Sequence, residues 1–281
     1  MLITLKDMMG IAEKEKIAIG GFNTPNLASL EAVIGAAEEE KLPVILMFAE
    51  CHDEWVSLDL IGPAMLNAAK QATVPVCVHL DHGEHLEYLK KALELGFTGI
   101  MYDGSVLPYE ENVANTKKAV EMAREHGASV EAELGSMGRR ESGANDRSGD
   151  CDETKIYTDP NLAAEFVSET GIDLLACSFG TTHGIYLKEP KLDLGIVRGV
   201  RKATNSMPVV MHGGSGVSRD DYHAVIQAGV RKINYFTYMD KAGGSGAKKH
   251  LDGLAPDAPQ FYSSVFLAAR DEMKENVRHA I

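Results

Sequence analysis

Residues 75–102 have the sequence PVCVHLDHGEHLEYLKKALELGFTGIMY and contain a complete strand–helix–strand pattern. Pro75–Leu80 is a short apolar run of the kind that forms a buried parallel strand. Leu86–Leu95 has apolar side chains at helical spacing, and Gly96 stands just after it, where many helices end in a left-handed residue. Thr98–Tyr102 is the next apolar run. This order predicts a βαβ unit, in which a helix joins two parallel strands.

The same unit recurs along the whole chain. Eight strands are predicted, at Ile17–Phe22, Pro43–Ala49, Pro75–Leu80, Thr98–Tyr102, Ala128–Leu134, Ile172–Phe179, Met207–His212 and Val230–Tyr235. Helical patterns between them include Leu27–Lys41, Leu86–Leu95, Glu110–His126, Pro160–Thr170 and Arg219–Ala228. Eight βα units favour an α/β protein with a single (β/α)8 TIM-barrel domain over residues 1–281. An open doubly wound sheet is the alternative, but Gly20-Gly21-Phe22-Asn23 is not the glycine-rich fingerprint that it requires.

Two long loops are predicted. Gly135–Thr158 is rich in Gly, Ser, Arg and Asp, whereas Ala242–Pro259 is rich in Gly, Ala and Pro. A long polar loop in a compact barrel is more often functional than accidental. We therefore expect 135–158 to be an active-site loop, and 240–281 to form a divergent C-terminal loop and helix.

The composition is that of a soluble globular protein. The chain has 281 residues, with 28 Lys and Arg against 41 Asp and Glu, so its formal net charge is −13. This charge disfavours nucleic-acid binding. The longest apolar run, Leu42–Ala49, is too short to span a bilayer, and the four cysteines are too few for a disulfide framework. We expect a cytoplasmic protein that binds neither nucleic acid nor membranes.

Three histidines, His82, His183 and His212, follow three different predicted strands. Because the carboxyl ends of barrel strands meet at one face, these side chains should converge there. Three imidazole nitrogens can hold Zn²⁺ and leave a fourth position open for substrate. Asp81 follows the third strand beside His82, and Glu133 lies near the end of the fifth strand. Asp81 is predicted to act as a general acid or base, with the orientation of a histidine as its alternative role.

A glycine-rich turn, Gly213-Gly214-Ser215-Gly216, follows the seventh strand. Such a turn can direct backbone N–H groups at an anion, and Ser215 adds a hydroxyl. Asn234 and Thr237 lie beside it, at the end of the eighth strand. This combination predicts a phosphate site, in the part of a TIM barrel that commonly holds one. Glu141, in the long polar loop, is either a solvated charge or a base that reaches the site when the loop closes.

Together these motifs resemble those of the class II, zinc-dependent fructose-bisphosphate aldolases, including the tagatose-bisphosphate branch. The resemblance extends from about Leu5 to Asn234. Its most specific pieces are Val78-His79-Leu80-Asp81-His82-Gly83 and Val130-Glu131-Ala132-Glu133-Leu134-Gly135. The stretches Gly180-Thr181-Thr182-His183-Gly184 and His212-Gly213-Gly214-Ser215-Gly216 also match. It implies reversible cleavage of a ketose 1-phosphate or 1,6-bisphosphate to dihydroxyacetone phosphate and an aldehyde. Zinc would stabilise the enediolate that forms when the C3–C4 bond breaks.

The resemblance also implies a role for each candidate residue. The ligands of Zn²⁺, or of another divalent metal, are His82, His183 and His212, with Glu133 as an alternative ligand. Asp81 exchanges a proton with the C4 hydroxyl, and Glu141 takes one from dihydroxyacetone phosphate. The residues that hold the C1 phosphate are Gly184, Gly213, Ser215, Asn234 and Thr237. A monovalent cation (Na⁺ or K⁺) and a homodimer or homotetramer are implied as well.

The chain departs from the family pattern at the aldehyde end of the substrate. Ala49-Glu50-Cys51-His52 replaces Ser-Glu-Gly-Ala, and Ala258-Pro259-Gln260 replaces Asp-Pro-Arg. In the family, the missing serine and arginine belong to the pocket that binds the second phosphate. Arg139 and Arg140 are candidates to bind this phosphate instead, and Asn23 is a further candidate substrate contact. We expect the part of the site that binds the dihydroxyacetone phosphate half to match the family, and the part that binds the aldehyde half to differ from it. A ketose 1-phosphate without a second phosphate is therefore the alternative substrate.

Two other functions fit part of the pattern. A barrel hydrolase that uses zinc hydroxide would explain three histidines and an aspartate, but not the phosphate turn. A non-catalytic phosphosugar-binding barrel would explain the phosphate turn, but not Asp81 and Glu141. Release of dihydroxyacetone phosphate that a chelator abolishes is expected of the aldolase only.

Overall fold

A computed structural model describes residues 1–136, 157–186 and 188–281. Its centre is a closed barrel of eight parallel strands that pair in chain order, with β8 paired to β1. The strands are β1 Ile19–Asn23, β2 Val44–Ala49, β3 Val76–Gly83, β4 Gly99–Tyr102, β5 Ser129–Leu134, β6 Leu174–Cys177, β7 Val209–Met211 and β8 Val230–Tyr235. The predicted barrel and its eight strands are confirmed, with small differences at the strand ends. Closure between β8 and β1 excludes the open sheet.

Ten helices are described. They are α1 Leu5–Glu15, α2 Leu27–Glu40, α3 Leu58–Gln71, α4 Leu86–Leu95, α5 Tyr109–Glu125, α6 Pro160–Thr170, α7 Leu194–Ala203, α8 Arg219–Ala228, α9 Thr237–Asp252 and α10 Tyr262–Ala280. The five predicted helices are present. No described helix has the length and apolar character that crossing a membrane requires.

The prediction of a loop at Ala242–Pro259 is wrong over most of its length, because α9 continues to Asp252. The glycines that suggested a flexible loop are used for close packing against α10. A Cβ atom at Gly243 would collide with the side chain of Met273, and one at Gly246 would collide with the carbonyl oxygen of Ala268. Only 253–259 of the predicted loop lies outside the helix.

Helix α1 closes the amino-terminal end of the barrel. Its side chains Leu5, Met8 and Ala12 are fully buried. They belong to an apolar cluster that also includes the inward-facing side chains Ile19 and Ile45. Since this end is filled with apolar side chains, polar chemistry is confined to the opposite end, where the strands terminate.

Side chains along each strand alternate between the interior of the barrel and the surrounding helices. The outward-facing side chains pack under the helices in the larger of two apolar clusters. The inward-facing positions change character along the strands, from apolar at the α1 end to polar and charged at the other. Inward-facing polar or charged side chains are Asn23, His79, Asp81, Glu131, Glu133, His212, Lys232 and Asn234, all of them buried. This upper layer contains the candidate site.

Candidate active site

The structure brings together the three histidines that the sequence predicts to converge. One ring nitrogen from each of His82, His183 and His212 lies within 4.8 Å of the others. The Nε2 atom of His82 is 3.0 Å from the Nδ1 atom of His212. The ring centroid of His183 lies 5.0 Å from that of His82 and 5.8 Å from that of His212. Side chains from β3 and from the segments after β6 and β7 thus form one cluster.

His82 is held in a strained backbone conformation at the end of β3. Its φ is 43°, in the left-handed region that non-glycine residues rarely adopt, and the pairing of β3 with β4 shifts register between Leu80 and Gly83. Such strain costs on the order of 1–3 kcal/mol and persists where the surroundings enforce it. Here Asp103 contributes, because its Oδ2 atom lies 2.8 Å from Nδ1 of His82. The ring is therefore oriented with Nε2 towards His212.

Electrostatics around His82 are dominated by carboxylates. Burial alone would lower the pKa of His82, but Asp81, Asp103 and Glu133 together raise it to about 10. Burial raises the pKa of Asp103, yet hydrogen bonds from His82 and Ser105 lower it to about 2. The cluster therefore has an excess of negative charge that a cation would neutralise.

The donor set fits a divalent metal. Glu133 is 2% exposed, and its Oε2 atom has no hydrogen-bond partner among the described residues. That atom lies 3.8 Å from Nδ1 of His212. Burial and the nearby charge of Asp103 raise the pKa of Glu133 well above its usual range. Three imidazoles and an unsatisfied buried carboxylate are the ligand types that zinc prefers.

A buried charged network lies on the α1 side of the histidines. Glu131 contacts three groups: Nε2 of His212 at 2.8 Å, Nζ of Lys232 at 2.8 Å and Nε2 of His79 at 3.4 Å. Burial raises the pKa of Glu131, but Lys232, His212 and His79 hold it well below its usual range. An ionised Glu131 therefore accepts a hydrogen bond from the Nε2–H group of His212, and Nδ1 of that ring faces His82.

Asp81 of β3 is fixed by two amide side chains, one from β1 and one from β8. Its Oδ2 atom accepts a hydrogen bond from Nδ2 of Asn23 at 2.9 Å, and its Oδ1 atom accepts one from Nδ2 of Asn234 at 3.0 Å. Burial raises the pKa of Asp81, but His82, His212 and Lys232 together hold it well below its usual range. The structure thus presents Asp81 as an ionised carboxylate next to the histidine cluster.

Two residues that are predicted to contact substrate donate hydrogen bonds from their amide groups to Asp81. Asn23, predicted to contact substrate, donates to this carboxylate. Asn234, predicted to contact the phosphate, donates to it as well and accepts a hydrogen bond from Nζ of Lys232 at 2.7 Å. Both side chains therefore orient Asp81, and their contact with substrate stays a prediction.

The predicted phosphate turn lies where the segments after β6, β7 and β8 meet. Oγ of Ser215 accepts hydrogen bonds from the backbone N–H groups of Phe236 and Tyr238, at 3.2 and 3.3 Å. These residues flank Thr237, the first residue of α9. Gly213 has a φ of 67°, and a Cβ there would collide with the carbonyl of Thr182. The amino terminus of α9 adds partial positive charge, so this arrangement suits an anion.

Gly184 also belongs to this region. Its φ is 91°, so its backbone has the left-handed conformation that glycine adopts without strain. The hydroxyl of Tyr186 joins its segment to the phosphate turn, since it donates to the carbonyl of Gly213 and accepts from the N–H of Thr182, both at 2.9 Å. Three further predicted residues, Arg139, Arg140 and Glu141, lie outside the described part of the chain.

Comparison with known proteins decides the family. A model of the family described as fructose-bisphosphate aldolase class-II matches residues 3–281. The chain belongs to this family. The aldolase is 38% identical over 284 residues to the fructose-bisphosphate aldolase of Staphylococcus aureus (strain Mu50), which covers 100% of this chain and 96% of the relative. It is 41% identical over 239 residues to that of Geobacillus stearothermophilus, covering 84% of this chain and 81% of the relative.

A solved structure agrees with this assignment. The crystal structure of the YdjI aldolase from Escherichia coli K12 superposes with a TM-score of 0.86 at 34% sequence identity, covering 100% of this aldolase and 96% of that chain. The predicted family and enzyme class are therefore confirmed: the protein is a class II aldolase, a lyase that cleaves carbon–carbon bonds.

Four residues of the aldolase that line or support the site have no role predicted from the sequence. Asp103 orients His82, and Glu131 and Lys232 form the buried pair that supports His212. The fourth is His52, whose imidazole is subject to the charge of Asp81. The sequence contains a signal for Glu131 and Lys232. Glu131 is two positions from Glu133 on β5, and Lys232 is two positions from Asn234 on β8. Residues that alternate on one strand share its inward face.

Proposed function

We propose that this aldolase reversibly cleaves a ketose 1-phosphate or a ketose 1,6-bisphosphate, resembling fructose or tagatose bisphosphate, to dihydroxyacetone phosphate and an aldehyde. The observation that carries the proposal is the position of Asp81. This buried, ionised carboxylate directly precedes His82 in the chain and accepts a hydrogen bond from Asn234 of β8, the strand that ends beside the phosphate turn. The names of the relatives support a phosphorylated sugar as substrate.

We propose that the aldolase holds Zn²⁺, or another divalent metal, through His82, His183 and His212, with Glu133 as an alternative ligand. The metal supplies a Lewis acid that stabilises the negative charge developing on the substrate oxygens during cleavage. Asp103 and Glu131 keep two of the rings oriented, because each accepts a hydrogen bond from the ring nitrogen that faces away from the cluster. Their negative charge also increases the basicity of the imidazoles.

Asp81 is proposed as the general base for cleavage. It takes the proton of the C4 hydroxyl, the C4 carbonyl of the aldehyde forms, and the electrons of the C3–C4 bond remain on the dihydroxyacetone phosphate fragment. In the synthetic direction the same carboxyl group returns the proton. The amides of Asn23 and Asn234 fix both oxygens of Asp81, so the carboxylate is already oriented when substrate arrives. Glu141 is proposed to exchange the proton at C3.

The C1 phosphate is proposed to bind at the turn after β7. Thr237 begins α9, Ser215 contacts the backbone N–H groups on either side of it, and Gly213 and Gly184 lie in the adjoining segments. A protein with a net charge of −13 needs such a local group of N–H donors in order to bind phosphate. Zinc-hydroxide chemistry by itself does not account for this turn, which supports the aldolase mechanism over the hydrolytic alternative.

The decisive experiment is release of dihydroxyacetone phosphate by the zinc-loaded protein. Fructose 1-phosphate and fructose 1,6-bisphosphate are compared side by side, with and without a chelator. We expect chelation to abolish release, and Asp81→Asn to lower kcat by about 10²–10⁴-fold, the usual contribution of a general base. Asp257→Asn, which changes an exposed carboxylate, serves as the control. Release of inorganic phosphate without dihydroxyacetone phosphate would contradict the proposal and favour the hydrolase.

The same assay decides between the two substrate classes. Arg139 and Arg140 are proposed to bind the second phosphate if the bisphosphate is preferred. In that case Arg140→Ala should raise KM for the bisphosphate much more than KM for the monophosphate, because a charged hydrogen bond is lost with one substrate only. Equal turnover of the monophosphate indicates a rebuilt aldehyde end.

A further inference from the structure

His52 is a buried imidazole beside the active site that the reaction described above does not use. It lies in the 3₁₀ turn Glu50–Glu54, which follows β2 at the carboxyl end of the barrel. Its exposed fraction is 0%, and neither ring nitrogen has a hydrogen-bond partner among the described residues. Burying a polar group without a partner is costly, so such a group calls for an explanation by function.

Aromatic rings surround His52. The ring of Trp55 stacks on it, with centroids 4.5 Å apart and an angle of 18° between the planes. Phe236 lies 5.0 Å away and Phe48 lies 6.0 Å away, measured between ring centroids. Phe236 follows β8, and the other two rings belong to β2 and its following turn. We call His52, Trp55 and Phe236 the aromatic wall.

The aromatic wall lies at the same end of the barrel as the catalytic centre. Strands β2 and β8 are the two neighbours of β1, so residues at their ends meet across the end of β1, where Asn23 holds Asp81. In the register of the barrel, Ala49 at the end of β2 pairs with Asp81 itself. The charges of Asp81 and His82 both act on the imidazole of His52. The wall and the proposed general base therefore lie at adjoining positions on the carboxyl end of the barrel.

The chemistry of the aromatic wall is uncharged. Burial lowers the pKa of the His52 imidazole to about 4, so the ring is neutral near pH 7. A neutral imidazole offers one N–H donor and one acceptor nitrogen, which match a hydroxyl group. Trp55 is 49% exposed, which leaves part of its ring available to the C–H surface of a sugar.

We propose that His52 is a specificity-determining residue that hydrogen-bonds an uncharged hydroxyl group on the part of the substrate that leaves as the aldehyde. Trp55 and Phe236 form the apolar side of the same subsite. The substrate class is then a ketose 1-phosphate with a hydroxylated distal end. The inference rests on the proposed aldolase function, since Asp81 and the phosphate turn define which end of the sugar faces the wall.

Condensation with dihydroxyacetone phosphate tests this inference, whatever stereochemistry is formed at C4. The zinc-loaded protein is given D-glyceraldehyde or D-glyceraldehyde 3-phosphate, and consumption of dihydroxyacetone phosphate is measured. His52→Phe keeps an aromatic ring in the wall but removes both nitrogens. We expect it to raise KM for glyceraldehyde about 10- to 100-fold, the effect of one buried hydrogen bond, and to change KM for the phosphorylated aldehyde less than about 3-fold. The KM for dihydroxyacetone phosphate is the internal control.

A second measurement needs no turnover. Trp55 is the only tryptophan in the chain, so tryptophan fluorescence reports on the wall alone. Glyceraldehyde is titrated into the zinc-loaded protein without dihydroxyacetone phosphate. We expect a saturable change that His52→Phe weakens about 10- to 100-fold, with folding checked by circular dichroism.

The two measurements separate the possible failures. Equal losses with both aldehydes, or a larger loss with the phosphorylated one, would overturn the role of His52 and leave the aldolase function intact. Absence of condensation with either aldehyde would overturn the proposed function. In that event the titration still decides: a saturable change that is unaltered in His52→Phe, or no change at all, overturns the inference.

Discussion

The Nε2 atom of His82 lies 3.0 Å from the Nδ1 atom of His212, although the two residues are 130 positions apart in the chain. Each ring is held from behind by a carboxylate, Asp103 for His82 and Glu131 for His212. The carboxylates contact Nδ1 of His82 and Nε2 of His212. The two nitrogens that face each other, Nε2 of His82 and Nδ1 of His212, therefore have to share a proton or bind a common cation. This pair of rings is therefore the centre of the proposed metal site.

Removal of either ring should remove the metal. We expect His82→Ala or His212→Ala to weaken zinc binding by at least about 100-fold, because even residues that only support a metal ligand change affinity 10- to 100-fold. Metal content after dialysis against a zinc buffer measures the effect. Zinc should also raise the Tm of the native protein, because it binds the folded state, and should not raise the Tm of these variants. His223→Ala, an exposed histidine of α8, is the control. Full zinc retention in either variant would refute the assignment.

Replacing only one member of the buried ion pair Lys232–Glu131 should strongly destabilise the protein. Both side chains have an exposed fraction of 0%, and their charged atoms are 2.8 Å apart. Lys232→Met leaves the buried charge of Glu131 without its cationic partner, which we expect to lower the free energy of unfolding by about 3–5 kcal/mol. Adding Glu131→Gln to this variant should recover part of the loss. Urea unfolding of the two single variants and the double variant, all in chelator, gives the coupling energy; strictly additive losses would contradict it.

Much of the fold was predictable because it is encoded locally. Strands such as Val230–Tyr235 and helices such as α4 and α6 were predicted at the bounds observed, since apolar periodicity and helix-ending glycines are properties of neighbouring residues. The convergence of His82, His183 and His212 was also predictable, because barrel closure alone brings strand ends together.

The remaining features depend on contacts between distant residues. The glycines of 242–259 suggested a loop, but their function is set by α10, which only the folded chain brings against α9. The roles of Asp103 and Lys232 follow from the rings and carboxylates that they meet across the barrel. The aromatic wall joins residues from opposite ends of the sequence, so no local pattern reveals it.

The ion pairs of Glu13 should make the folding stability of the protein depend on pH. This residue of α1 pairs with Arg231 of β8 at 2.9 Å and with Arg201 of α7. Burial raises the pKa of Glu13, but hydrogen bonds from the two arginines outweigh it and lower the pKa below 4.5. A carboxyl group with a lower pKa in the folded state stabilises that state above its unfolded pKa, and this stability is lost as pH falls through the folded pKa.

Glu13→Gln should therefore destabilise the protein at neutral pH only. We expect a loss of roughly 0.5–1 kcal/mol near pH 7, a small value because the pair is partly solvated. The difference from the unmutated protein should vanish as pH falls below about 4.5, where Glu13 becomes protonated in the unfolded chain and then in the folded chain. Thermal melts across this pH range measure it. A difference that persists at low pH would assign the loss to packing instead.

Two neighbouring glycines of α9 should respond in opposite directions to the same substitution. Gly244 is exposed, and a methyl group added there would meet no atom within 4 Å, so Gly244→Ala should stabilise the protein by about 0.5–1 kcal/mol through helix propensity. Gly246→Ala gains the same propensity but places its methyl group against the carbonyl oxygen of Ala268 in α10. Because backbone atoms cannot move aside as a side chain can, we expect a net loss of about 1–3 kcal/mol. Denaturant unfolding of the two variants checks this, and a gain in both would show that α9 and α10 separate at no cost.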